Sequence, residues 1–216
     1  MNPPIPNRTI AGQELAHELQ NYKNLDNTIV LALPRGGVPV AFEIAKELNA
    51  PLDLMLVRKL GTPNYSELAM GAIAAGGIRV LNPQVIYSYD ISEAQIEEAE
   101  KVERQELERR TVAYRGKRPY PDLDDKIVII VDDGLATGAT MHAAIDAVRL
   151  QDPRSIIVAV PVAPPDSIDA LRRKVDEVIC PLQPPQFSSI GQWYEDFSQV
   201  SDEAVTKLLS QAWQNK

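Results

Sequence analysis

The sequence predicts an α/β domain: a doubly wound parallel sheet with a small C-terminal hood and an inserted charged helix. Three observations carry this. Short, nearly all-apolar β-branched runs recur along the chain, as in parallel strands covered on both faces. Amphipathic helical patterns lie between them. Their regular alternation implies right-handed βαβ units.

The strand runs are residues 28–33, 52–57, 127–131, 156–160 and 177–179. Residues 39–48 place Ala41, Ile44, Ala45 and Leu48 on one helical face. Residues 140–150 place Met141, Ile145 and Val148 there, and residues 166–175 place Ile168, Leu171 and Val175 there. The expected sheet order is the second run, the first, then those at 127, 156 and 177. A reversal between the first run and the run at 127 puts a crevice at that point.

Two segments depart from the alternation. Residues 92–114 read as a long charged helix opening with a capping box, Ser92 and Gln95, and a staple, Ile91 and Ile96. Glu97–Lys101, Glu100–Arg104 and Glu106–Arg110 are i,i+4 pairs in the favourable direction. This helix is either a solvated element resting lightly on the body or a cover over a site, since it runs into the basic stretch Arg115-Gly116-Lys117-Arg118. Prolines at 181–185 then end the alternation, and Phe187, Trp193, Tyr194 and Phe197 cluster after them. They form either a small core under a loop or one wall of a pocket for a planar ligand. A last helix is expected over 202–213, with Ser201 as N-cap. The chain therefore divides into a core over 1–180, with an insertion at about 92–118, and a hood segment with its helix over 181–216.

Composition bounds the function. The 216 residues are 44% hydrophobic and 24% charged, enough apolar material for a substantial core. No apolar run reaches the roughly 18 residues of a membrane span. Residues 1–6 lack the basic-then-apolar pattern of a secretory signal. A single cysteine, Cys180, makes no internal disulfide, and two distant histidines complete no zinc site. The expectation is a cytoplasmic protein with Cys180 as a buried free thiol. Lys and Arg total 22 against 30 Asp and Glu, a net charge of −8. Such a chain has no global field to attract nucleic acid or an anionic membrane. An anionic substrate must be held by local devices.

One stretch supplies them. Residues 127–141 read as a buried strand, Asp132-Asp133, the small-residue loop Gly134-Leu135-Ala136-Thr137-Gly138-Ala139-Thr140, then a helix. A loop feeding a helix N-terminus presents free N–H groups and the positive end of the dipole, a cradle for phosphate. It lacks the lysine and spacing of a nucleotide triphosphate loop. Adjacent carboxylates would repel phosphate, so they suit paired hydroxyls, as on a ribose, or a metal-bridged group.

This stretch resembles the ribose-5-phosphate loop of type I phosphoribosyltransferases, which transfer ribose 5-phosphate from phosphoribosyl diphosphate to a nitrogen nucleophile with Mg²⁺. The resemblance implies that Asp132 and Asp133 hold the ribose hydroxyls and that Ala136 to Thr140 hold the 5′-phosphate. Leu33-Pro34-Arg35-Gly36-Gly37 resembles the family's diphosphate loop, where glycines permit a strained or cis peptide. Arg58 and Lys59 match a basic pair that contacts diphosphate in relatives. Residues 62–71 stand where the family has a mobile loop, with Gly61, Gly71, Gly76 and Gly77 as hinges and Glu67 as the candidate acid–base group. The hood resemblance makes Phe187, Ile190, Trp193 and Tyr194 candidate base-binding residues. Ala136 stands where hypoxanthine–guanine members carry an acid–base Asp, and adenine- and uracil-type members have Ala there. The implied function is a phosphoribosyltransferase acting on a nucleobase. Mg²⁺ enters mainly on the substrate, with Asp132 and Asp133 the candidate protein ligands. The implied partners are phosphoribosyl diphosphate, a small acceptor and a second copy of the chain. The alternative is a non-catalytic phosphoribosyl diphosphate-binding regulator.

Overall fold

The computed structural model describes residues 1–214, the side chains of Ser66 and Glu67 excepted. In chain order the elements are α1 (Arg8–Glu18), β1 (Thr28–Ala32), α2 (Gly37–Leu48), β2 (Leu52–Leu54), β3 (Val57–Thr62), β4 (Tyr65–Ala74), β5 (Ile78–Leu81), α3 (Pro83–Ser88), α4 (Glu93–Arg115), β6 (Ile127–Val131), α5 (Ala139–Arg149), β7 (Ser155–Ala159), α6 (Pro165–Arg172), β8 (Glu177–Ile179) and α7 (Asp202–Gln214).

Five strands form a parallel sheet in the order β2-β1-β6-β7-β8, as the run order implies. The alternation of side chains along each strand splits the core into two layers. Val30 and Ala32 of β1 and Ile129 and Val131 of β6 face α1, α2 and α7. Ile29, Leu31, Val128 and Ile130 face α5 and α6. Ala32 pairs with Val131, so the chain leaves β1 and β6 at the same edge. The N–H of Leu33 donates to the carbonyl of Val131 at 2.9 Å and carries the ladder one residue further.

The run at 52–57 is not one strand. β2 ends at Leu54, and β3 belongs to a second, antiparallel sheet of three strands, β3-β4-β5. Met55 and Leu56 are buried between the two, so apolar character runs unbroken through a change of sheet. Arg58 and Lys59 therefore lie within β3 rather than at the end of a parallel strand. The segment expected as a loop over 62–71 is instead the β3–β4 hairpin, turning at Pro63 and Asn64, with Asn64 at φ 67°. Gly71 is a packing residue in this hairpin: a Cβ there would lie 2.5 Å from the carbonyl oxygen of Val80.

Helix α1 has no counterpart in the sequence reading. Asn7 caps it by accepting from the N–H of Ile10 at 3.0 Å. A Cβ at Gly12 would fall 2.5 Å from the Val40 carbonyl oxygen, so glycine is what lets α1 lie against α2. The capping box of α4 forms as expected, and Ile91 and Ile96 of its staple are both buried. Ion pairs join Glu100 to Arg104, and Glu106 to Arg110 at 2.7 Å. The helix does more than rest on the body. Ile96, Leu107 and Tyr114 are buried, and Arg115 pairs with buried Asp53 of β2 while its guanidinium lies 4.1 Å from the Tyr120 ring. Cys180 is a free, buried thiol, and burial pushes its pKa up to about 12. Among the described residues no helix is long and apolar enough to cross a membrane.

Candidate active site

The shared edge of β1 and β6 brings the two expected loops together. Gly36 and Gly37 lie against Asp133 and Asp132: a Cβ at Gly36 would overlap Asp133 Oδ2, and one at Gly37 would lie 2.6 Å from the Val131 carbonyl oxygen. The Pro34–Arg35 peptide is cis. Glycine at both positions is thus a packing requirement, because the carboxylate loop occupies the space a side chain would fill. Gly134, at φ 152°, and Gly138, at φ 71°, supply the backbone turns that lead from Asp133 into α5.

The loop is anchored from outside. The N–H of Leu135 donates to the Val162 carbonyl at 2.9 Å, and Ser167 Oγ donates to the Ala136 carbonyl at 2.7 Å. The first intrahelical bond of α5 runs from His142 N–H to the Gly138 carbonyl at 2.8 Å. The N–H groups of the first turn, starting at Ala139, therefore have no partner within the helix and are available to an anion. Ala136, Thr137 and Thr140 are all exposed at this cradle.

Asp132 and Asp133 have different surroundings. Asp133 is buried, and its Oδ2 accepts from Arg8 Nε at 2.8 Å. Arg8 also donates to the Ser198 carbonyl at 2.8 Å and lies 4.0 Å from the Phe197 ring centroid. Asp132 Oδ1 accepts from the N–H of Asp133 at 2.8 Å. Burial first, and the charge of Asp133 second, raise the Asp132 carboxyl well above the ordinary carboxylate range.

Around these loops stand the other expected residues. Arg35 sits 3.5 Å from Asp202 of α7, whose Oδ1 also accepts from the Tyr114 hydroxyl of α4 at 2.6 Å. Arg58 pairs with Glu103 of α4 at 2.6 Å. Lys59 lines a cavity of about 310 Å³ that reaches Pro34 and Thr140. It also lines a second cavity, of about 480 Å³, that reaches Thr137 and His142. Glu67 is on β4, and its side chain lies outside the described residues. In the hood, Phe187 and Trp193 stack with ring centroids 6.3 Å apart. Ile190 presses on Gly134, its Cγ2 2.6 Å from where a Cβ would be. Tyr194 is buried, and its hydroxyl donates to the Asp133 carbonyl at 2.8 Å, so it ties the hood to the loop.

Arg8 is the site residue that sequence reasoning missed. It is 125 residues from Asp133, and no local pattern marks it. The only local signal is Asn7, whose cap would have revealed α1.

The residues present fit a hard cation only in part. Asp132 and Asp133 offer two carboxylates, one already engaged by Arg8. Among the described residues no group of three or more His, Cys, Asp or Glu could hold a metal. A Mg²⁺ that arrives on phosphate oxygens and takes one or two carboxylates suits this donor set.

Comparison with known proteins gives the same frame. The family model of the phosphoribosyl transferase domain matches residues 4–196. A protein of Mycobacterium tuberculosis (strain H37Rv) named "Putative phosphoribosyl transferase" is 43% identical over 202 residues, covering 94% of this chain and 45% of that protein. The chain thus spans about half the length of that relative. The bifunctional protein PyrR of Clostridium acetobutylicum is 27% identical over 148 residues, 68% of this chain and 64% of that one. The crystal structure of TT1426 from Thermus thermophilus superposes with a TM-score of 0.88 at 40% identity, over 96% of this chain and 98% of that one. With its parallel five-stranded sheet, Asp-Asp loop and facing glycine loop, the chain belongs to the phosphoribosyl transferase domain family and has the type I fold.

Proposed function

We propose that the protein transfers ribose 5-phosphate from phosphoribosyl diphosphate to a nitrogen of a small acceptor, a nucleobase by preference, releasing diphosphate. The observation that carries this reading is the packing of Gly36 and Gly37 onto Asp132 and Asp133 in one crevice, with the α5 cradle beside it. The backbone of Ala136 to Thr140 binds the 5′-phosphate. Asp132 and Asp133 accept hydrogen bonds from the ribose hydroxyls, and their charge favours the cation-like sugar as the leaving group departs. Arg35, Gly36, Gly37 and Lys59 receive the diphosphate, with Arg58 beside them. Mg²⁺, when bound, neutralises charge on the leaving group. The described residues from 181 to 214 form the hood on the acceptor side, where Phe187, Ile190 and Trp193 are the candidate contacts. Glu67 is the candidate proton-transfer group.

The test is diphosphate release measured with Mg²⁺, phosphoribosyl diphosphate and a panel of purine and pyrimidine bases. Turnover with at least one base is expected. Phosphoribosyl diphosphate should also raise the melting temperature, because it binds only the folded state. Stabilisation without turnover on any base would favour the regulatory alternative. No stabilisation at millimolar ligand would remove the reading altogether.

A further inference from the structure

The function above leaves α4 without a role, although this helix reaches the site. The 310 Å³ cavity opens between α4 and β3, with Pro34 of the diphosphate loop and Thr140 of the cradle in its wall. Its volume is at the low end for small-molecule sites, about 300–1,000 Å³. Three cationic side chains line it, Arg58, Lys59 and Arg110, against one carboxylate, Glu103. Glu103 Oε2 accepts from Arg58 Nε at 2.6 Å. Arg110 is held by Glu106 at 2.7 Å, and Glu106 is shared with Arg109 at 2.8 Å. The two arginines hold the Glu106 carboxyl at about 2. The cavity wall thus carries more positive than negative charge and adjoins the loop that would receive a phosphorylated leaving group.

We infer that α4 completes the anion site: Arg110 binds the diphosphoryl group directly, and Glu103 is the counter-ion that holds Arg58 until that group replaces it. The inference rests on the phosphoribosyltransferase reading for its ligand, but its residues lie outside the two loops on which that reading stands. A guanidinium is suited to the task because its planar fork matches phosphate oxygens. Only part of the Arg110 and Glu103 side chains is exposed, 30% and 26%, so both act where water screens them incompletely.

The acidic and basic members make opposite predictions. Calorimetric titration of the full chain with inorganic diphosphate, phosphoribosyl diphosphate and inorganic phosphate, each with Mg²⁺, separates them. Arg110→Gln should weaken diphosphate and phosphoribosyl diphosphate about tenfold or more, the loss of one charge-assisted hydrogen bond. Arg110→Lys should recover part of that. Glu103→Gln should tighten diphosphate severalfold, because it removes the competing carboxylate. Inorganic phosphate, held by the backbone cradle, should be unchanged in all three. Wild-type affinity for diphosphate in Arg110→Gln, or weaker affinity in Glu103→Gln, overturns the assignment of α4 and leaves the transferase reading standing. A wild-type chain that binds neither diphosphate nor phosphoribosyl diphosphate overturns both.

Discussion

The Arg8–Asp133 pair can be tested quantitatively with Arg8→Met. The substitution keeps most of the side-chain stem and removes the guanidinium. Only 12% of the Arg8 side chain and 10% of the Asp133 side chain reach solvent, so Asp133 would be left as a nearly buried, unpaired carboxylate. Removing one partner of a buried pair costs about 3–5 kcal/mol. The charge-assisted hydrogen bond accounts for about 1.5–3 kcal/mol of this, and the contact with the Phe197 ring for about 0.5–2 kcal/mol. The small part of the Arg8 side chain that is exposed lets some water reach the freed carboxylate, which favours the lower end. A loss of about 3 kcal/mol is expected, and in a chain of this size that lowers the melting temperature by about 6–12 °C. Asp133→Asn, which keeps shape and an acceptor oxygen, completes a double-mutant cycle read by urea unfolding. The coupling energy should be at least about 1 kcal/mol. Coupling within about 0.5 kcal/mol of zero would refute the argument and reduce Arg8 to a residue that merely stacks on Phe197.

Three further outcomes follow from the same geometry. Arg115→Met should destabilise by about 3–5 kcal/mol in urea unfolding, because it strands Asp53 within the core; adding Asp53→Asn should recover part of the loss, and a change below about 1 kcal/mol would mean that α4 is not anchored there. Phosphoribosyl diphosphate affinity should tighten as pH rises above the ordinary carboxylate range, with a proton released on binding. Burial and Asp133 favour the protonated form of Asp132, whereas hydroxyl donors favour the carboxylate. In the free protein the stability from that carboxyl is fully present below its unfolded pKa of about 4 and is lost as pH rises through the raised folded value; proton uptake on binding would contradict this. Gly36→Ala should abolish phosphoribosyl diphosphate binding while leaving a cooperative thermal transition, since the new Cβ falls on Asp133 Oδ2.

How far the sequence discloses this molecule depends on whether its signals are local. The parallel sheet is legible because β1, β6 and β7 are nearly all-apolar runs and the short β8 follows them, all separated by helical periods. The switch between β1 and β6 follows from their order. Residues 52–57 are not legible as two strands, because burial is continuous through Met55 and Leu56 while the hydrogen-bond partners change. The hairpin at 57–74 is hidden by its own glycines, which suggest hinges until Gly71 is seen packed on Val80. In the site, Asp132 to Thr140 form one unbroken stretch, so its members can be read together. Arg8 cannot, since only tertiary structure brings α1 to β6. Tyr194 reads in the sequence as one of several candidate base-binding residues, whereas in the structure its ring is buried and its hydroxyl donates to the Asp133 carbonyl.

That last contact bears on how the site is held. Asp133 is gripped from three directions by segments outside the loop: Arg8 on its carboxylate, Tyr194 on its carbonyl and Gly36 against its side chain. The N-terminal segment and the hood are themselves joined, because Ile5 donates to the Trp193 carbonyl at 2.7 Å and accepts from the Glu195 N–H at 2.8 Å. The hood thus reaches Asp133 by two routes, directly through Tyr194 and indirectly through residues 5–8. A carboxylate so constrained need not reorganise if, as proposed, charge develops on a sugar bound beside it, which is the condition under which a fixed dipole or charge is most effective. By the same links, displacing the hood shifts the carboxylate loop, so the hood and the Asp132-Asp133 loop form one mechanical unit.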